Sequence, residues 1–203
     1  MNSQSNLTLH VKRALLGAGL LLALPAAMAQ WKTLSVPLTT QEHSQWCWSA
    51  SSKAVLNFYN KTPTQCQIVN WAFGINYACG NTTFNWNSYA NQPNSMYGSN
   101  GSVQNILAAW GVPNGAYNVA SSWTTVVSDI NANRPFVMRY GWTNGGGHIM
   151  VGRGYETYNN VRYIYIMDPW PGEGQTWRTY SSAVYASDHR WTHTQRMNIS
   201  RPN

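Results

Sequence analysis

Cys47, His148 and Asp168 are the residues of this 203-residue chain whose types and settings combine into a reaction. Cys47 stands at the head of a helical stretch. A thiol at a helix N-terminus feels the positive end of the helix dipole, which favours the thiolate, its nucleophilic form. Taken alone, such a cysteine is weak evidence, because buried inert cysteines are common. His148 follows Gly145-Gly146-Gly147, a loop that would let a substrate backbone approach closely, and opens an apolar stretch. Asp168 closes a second apolar stretch, just before Pro169. A turn centred near residues 158 and 159 sets the two stretches as a hairpin with His148 facing Asp168, their Cβ atoms about 4.5–5.5 Å apart. A carboxylate so placed orients an imidazole and stabilises its cation. Singly, His148 reads as a core histidine and Asp168 as a strand-end turn. With Cys47 they form a nucleophile–base–orienter set. Gln41, six residues before Cys47, offers a side-chain amide to an oxyanion, alongside the Cys47 N–H. Gln45, two residues before it, is the alternative, and alternation along an extended approach does not decide between them.

Residues 30–40 alternate as an extended segment. Trp48, Val55, Leu56 and Tyr59 share a helical stripe. Thr62-Pro63 predicts the N-cap and first position of a second helix, which runs through Ile68 and Trp71 to Gly74. Residues 75–101, rich in Asn, Gly, Ser and Tyr, predict a long loop. Helices are expected at Ser102–Trp110 and Ser122–Ala132. The period then changes. Strands are expected at Phe136–Tyr140, His148–Tyr155 and Val161–Met167, with one or two more between Trp177 and Ile199. Helices first and antiparallel strands second predict an α+β fold of two sub-lobes with a cleft between them.

The three cysteines are Cys47, Cys66 and Cys79. An odd number in an exported chain suggests one disulfide and one functional thiol. Three pairings are possible, and Cys66 with Cys79 closes a short loop that leaves Cys47 free. Such a loop is worth about 3 kcal/mol in the chain-entropy model. Export is expected from the N-terminus. Lys12-Arg13, an apolar run from Ala14 to Leu24, and Ala27-Met28-Ala29 make a bacterial-type signal peptide over residues 1–29. The apolar run is shorter than the ~20 residues that span a bilayer. Residues 30–203 then form the domain, secreted or periplasmic, with no membrane contact after cleavage.

Charged residues are only 9% of the chain and aromatics 13%, including eleven Trp, which excludes a disordered, charge-rich segment. The formal charge is +7, but Lys and Arg nowhere cluster, so a nucleic-acid partner is not expected. No Cys-x-x-Cys pair is present, and Arg190 with a strand setting opposes a metal at His189, His193 and Asp188; neither a metal nor a cofactor is expected. His43 is expected to be exposed, and Glu173 to be loop surface.

The segment Gln41-Glu42-His43-Ser44-Gln45-Trp46-Cys47-Trp48 resembles the signature of the papain-like cysteine proteases. Gly147–Tyr155 resembles that superfamily's histidine strand, and Asp168-Pro169-Trp170 its third-residue strand end. The branch it is most similar to is that of bacterial avirulence-type effector proteases and their double-glycine-peptidase-like relatives, over roughly residues 35–175. The resemblance implies Gln41 as oxyanion residue, Cys47 as nucleophile, His148 as base and Asp168 as orienter. Asp168 stands where plant papains have Asn, and the 17 residues from Gln30 to Cys47 leave no room for a classical inhibitory prodomain. The expectation is a monomeric exported peptidase acting on peptide or protein. An amidase or acyltransferase of the same fold acting on cell-wall peptides is one alternative. An inactive Trp-rich glycan- or peptide-binding module is another.

Overall fold

The computed structural model describes residues 30–80 and 83–201. The signal-peptide reading of residues 1–29 lies outside them. Helix α1 (Cys47–Phe58) is buried almost all round, down to Ser49, Ser51 and Ser52. Small side chains let neighbouring elements close on it, and two of the three buried hydroxyls find partners while Ser52 Oγ has none. Ser49 Oγ donates to the Gln65 carbonyl at 3.0 Å, and Ser51 Oγ to the Ile149 carbonyl at 2.9 Å. Helix α2 (Gln65–Phe73) starts after Pro63, not at it. Thr64 and Gln67 form a reciprocal capping box that satisfies two otherwise orphaned backbone N–H groups, so Thr64 replaces Thr62 as the N-cap. The helix ends at Gly74, as expected. Helices α3 (Val103–Ala109) and α4 (Trp123–Asn131) follow, each preceded by a serine at the N-cap position.

The sheet comprises β1 (Gln30–Thr33), β2 (Asn114–Tyr117), β3 (Phe136–Trp142), β4 (Gly147–Tyr158), β5 (Val161–Asp168), β6 (Gly174–Thr179) and β7 (His189–Met197). A short helix α5 (Tyr180–Val184) joins β6 to β7. Every pairing is antiparallel, in the order β2-β7-β3-β4-β5-β6, with β1 beside the distal part of β4. The fold is α+β, but helices and strands are less segregated than expected. Strands β1 and β2 come from the first part of the chain, and α4 packs on β4 and β1. Ile149, Met150 and Val151 are buried in succession, so β4 is covered on both faces. One apolar core runs from Trp46, Leu56 and Ile106 on the helical side to Phe136, Met138 and Ile164 in the sheet. Among the described residues no helix is long and apolar enough to cross a membrane.

The β4–β5 hairpin corrects the expected register. The turn is Asn159-Asn160, both at positive φ, so Tyr158 pairs with Val161. This two-residue turn lies one position later than anticipated. The ladder holds to Gly154 opposite Tyr165, and then a bulge at Arg153 brings Gly152 opposite Ile166 and Val151 opposite Met167. Continued by one step, the register sets Met150, not His148, opposite Asp168. His148 lies two residues beyond Met150 on the same face, so it meets Asp168 diagonally. The bulge is what makes this possible. Without it Asp168 would oppose Val151 and point to the other face of the sheet, since a one-residue shift inverts every side chain. Gly152 belongs to the same device: a Cβ there would run into the ring of Phe136, its partner on β3.

Candidate active site

Cys47 is the first residue of α1 and its thiol is free and partly exposed. Trp46 and Trp48 anchor the chain on either side of it. Their indole N–H groups donate to the carbonyls of Ala90 and Gln92 at 2.8 and 3.0 Å. Asn91, between these two, accepts from the Gln45 N–H and donates to Ser44 Oγ. The predicted loop is thus a brace for the segment that presents the thiol. The disulfide Cys66–Cys79 ties the start of that loop to α2, the pairing that leaves Cys47 free.

His148 Nε2 lies 2.6 Å from Asp168 Oδ1, with both residues buried. Asp168 Oδ1 also accepts the Trp170 N–H at 2.9 Å, which fixes the carboxylate. Burial by itself would lower the His148 pKa. The Asp168 carboxylate, with a contribution from the Cys47 side chain, outweighs it, and the pKa rises to about 9 from an ordinary 6.5. The imidazole thus holds the carboxylate at hydrogen-bond distance and has the free thiol of Cys47 in its electrostatic neighbourhood. Trp142 stacks along His148 with ring centroids 6.3 Å apart, and Trp170 meets it edge-on at 5.9 Å.

Gln41 is buried and Gln45 exposed. Gln41 Nε2 donates to the carbonyls of His43 and Ser44 at 3.0 and 3.1 Å, while its Oε1 has no partner. Its backbone N–H donates to the Pro169 carbonyl at 2.8 Å, joining the segment before Cys47 to the one after Asp168. His43 is half-buried rather than exposed. Its ring stacks on Phe84 at 3.5 Å and meets Trp46 edge-on, because the aromatic loop folds over it. Burial lowers its pKa. His189 bonds Asp188 and the Ser182 carbonyl, and His193 bonds Thr192. Among the described residues no group of three or more potential ligands could hold a metal.

Sequence reasoning passed over Ser51, Arg139 and Trp142. Arg139 donates to the Gly146 carbonyl at 2.8 Å. A Cβ on Gly147 would meet the Arg139 guanidinium and the Tyr140 carbonyl, so Gly147 is demanded by its own neighbours rather than by a substrate. An arginine nine residues before a candidate histidine carries no motif, and only the β3–β4 register reveals it.

A helix-borne cysteine beside an antiparallel sheet that carries a histidine and a carboxylate defines a cysteine-type peptidase of papain-like build. The Peptidase_C39 like family matches residues 33–199, and the chain belongs to that family. Among solved structures, the chain resembles the peptidase domain of Streptococcus ComA, a bifunctional ABC transporter involved in quorum sensing. The identity is 14%, the TM-score 0.54, and the match covers 80% of this chain and 98% of that one. A double-glycine-motif protease from an AMS/PCAT transporter, in complex with a leader peptide, matches at 16% identity and TM-score 0.48. That match covers 81% of this chain and 93% of the other. The search of curated proteins gives no match.

Proposed function

We propose that this chain is an exported peptidase that hydrolyses peptide bonds through Cys47, His148 and Asp168. The observation that carries the reading is the buried His148–Asp168 pair, Nε2 to Oδ1 at 2.6 Å, with the free Cys47 thiol near enough to help raise the imidazole pKa. The Cys47 thiolate attacks the scissile carbonyl. The Cys47 N–H stabilises the resulting oxyanion, joined by Gln41 once one of its amide hydrogens turns from a loop carbonyl. His148 passes its proton to the departing amine, which leaves a thioester on Cys47. His148 then takes a proton from water, the hydroxide displaces the thiolate, and the acid product is released. Asp168 holds the ring in place through both transfers.

Export rests on the leader-like residues 1–29, and the Cys66–Cys79 disulfide suits an oxidising compartment. The test is to incubate residues 30–203 with unfolded protein and with short peptides, following cleavage and intact enzyme mass. New amino termini, absent with Cys47→Ala, support the reading. Hydrolysis confined to side-chain or cell-wall amides would replace it with the amidase. Absence of any turnover, with a Cys47 thiol of ordinary reactivity, would sink both.

A further inference from the structure

A pocket of about 310 Å³ opens on one side of His148. Its walls are Trp142 and Trp170, its inner edge is His148 with Asp168, and two charged residues, Arg178 and Glu173, complete it. Neither Cys47 nor Gln41 lines it. That absence locates the pocket in the reaction. The acyl half of a substrate stays bonded to Cys47, whereas the leaving half departs past the group that protonates it. A pocket that borders the imidazole but not the thiol therefore receives the leaving half.

Arg178 gives the pocket its chemistry. It projects from β6, partly buried, with its guanidinium 5.8 Å from the centroid of the buried Tyr140 ring. Among the described residues that guanidinium has no hydrogen-bond acceptor and no ion pair. Asp188, which feels its charge, is hydrogen-bonded to His189 at 2.7 Å. Glu173 is exposed, beyond ion-pair distance of Arg178, and faces water that screens it. An arginine held against an aromatic face with all its donors free is a fork for a carboxylate. The flanking indoles shield that contact from solvent and cover the apolar part of the ligand.

We propose that this pocket is the leaving-group subsite and that it selects a carboxylate close behind the scissile bond, gripped by Arg178 between Trp142 and Trp170. The carboxylate comes either from an acidic side chain or from the substrate's own C-terminus. This assignment rests on the peptidase reading above.

Two measurements test it. In the first, residues 30–203 digest a mixture of random-sequence peptides and mass spectrometry maps the cuts. Aspartate, glutamate or the chain terminus is expected to be enriched about tenfold within the two positions after the cut. That enrichment is lost in Arg178→Gln and kept in Arg162→Gln, an exposed arginine outside the pocket. In the second, Cys47→Ala protein is titrated with three dipeptides while the indole N–H signals of Trp142 and Trp170 are followed by NMR. The probes are Phe-Glu amide, Phe-Gln with a free carboxylate, and the neutral Phe-Gln amide. One or both of the acids should bind about tenfold more tightly than the neutral amide, and Arg178→Gln should erase the difference. Whichever acid gains identifies the source. Equal affinities, or indole signals that do not move, overturn the subsite. Carboxylate-dependent binding without any cleavage would sink peptide hydrolysis and with it the leaving-group role, and leave Arg178 as a carboxylate-binding site alone. Cleavage with neither an acidic bias nor a carboxylate effect would sink the subsite alone.

Discussion

Ser51 Oγ donates to the Ile149 carbonyl at 2.9 Å, and this bond sets how the two halves of the candidate site meet. Ser51 lies one helical turn beyond Cys47, and Ile149 adjoins His148. The bond is buried and joins α1 to β4 across the core. Replacing Ser51 with Ala removes the donor and strands a buried carbonyl, at a cost of about 1–2 kcal/mol. The larger effect is expected on turnover. Loosening the helix against the strand by a fraction of an ångström should lower kcat by roughly 10- to 100-fold. KM should change less, because Ser51 is buried and does not line the candidate pocket beside His148. Equal losses in kcat for Ser51→Ala and a comparable core variant such as Ile106→Val would show that the bond has no special role.

The His148–Asp168 pair makes stability and activity depend on pH in a definite direction. The folded-state pKa of His148 is raised above 6.5, to about 9. A raised pKa means the folded protein holds the proton more tightly than the unfolded chain does. The stabilisation is therefore complete below about pH 6.5 and fades as pH rises through 9. Asp168→Asn removes the carboxylate that holds the proton. The stability gap between wild type and Asp168→Asn, measured by urea unfolding, should be widest in mild acid and shrink toward pH 9. In activity, kcat/KM should fall on the alkaline limb near pH 9 in the wild type, and by about 100-fold overall in the variant. A gap that widens with rising pH would contradict the assignment.

How much of this was legible in the chain can be judged at particular residues. Cys47, His148 and Asp168 were visible because each sits at an element boundary that punctuates clearly: a helix start, a glycine loop, an Asp-Pro stop. Their juxtaposition was reached through a register that is off by one at the turn and again at the bulge. The two shifts leave Asp168 near His148, but diagonal to it. A bulge at Arg153 has no local signal beyond its flanking glycines, since Gly152 and Gly154 read equally well as ordinary strand residues. Strand β2, Asn114-Gly115-Ala116-Tyr117, shows no alternation and exists only because β7 pairs with it. The capping box Thr64-x-x-Gln67 was present in the sequence, yet Thr62-Pro63 is the more familiar helix start. Arg178 was invisible for a different reason. Its role depends on which strand brings it beside His148, and sequence spacing carries no information about that.

The Cys66–Cys79 bond closes a loop of 13 residues' separation between α2 and the segment that leads to the brace. Its removal by Cys66→Ser with Cys79→Ser should cost about 3 kcal/mol and lower the Tm accordingly. Cys47 alkylation should keep its rate at 25 °C, because Trp46 and Trp48 are anchored to Ala90 and Gln92, beyond the closed loop. Thermal unfolding of the double variant reads the first effect, and intact-mass labelling of Cys47 reads the second. A clear change in the labelling rate would show that the brace, too, depends on the staple.

Gln41 separates two roles that a single alanine variant would confuse. Its amide carries two hydrogens, and in this structure both are directed at carbonyls of the loop that leads to Cys47. As an oxyanion donor, Gln41 must release one of them at the transition state. As a loop tether it keeps both. Gln41→Glu places acceptor oxygens against those carbonyls and should damage both roles. Gln41→Ala loses both as well, but leaves a space that water can enter. The informative comparison is therefore between steps of the reaction. Alkylation of Cys47 by a small haloacetamide passes through no oxyanion, whereas peptide hydrolysis does. If Gln41 donates to the oxyanion, Gln41→Ala should lower peptide kcat/KM by about 10²- to 10³-fold while alkylation slows by no more than about threefold. If both rates fall together, Gln41 serves to place Cys47, and the Cys47 N–H is left to carry the oxyanion.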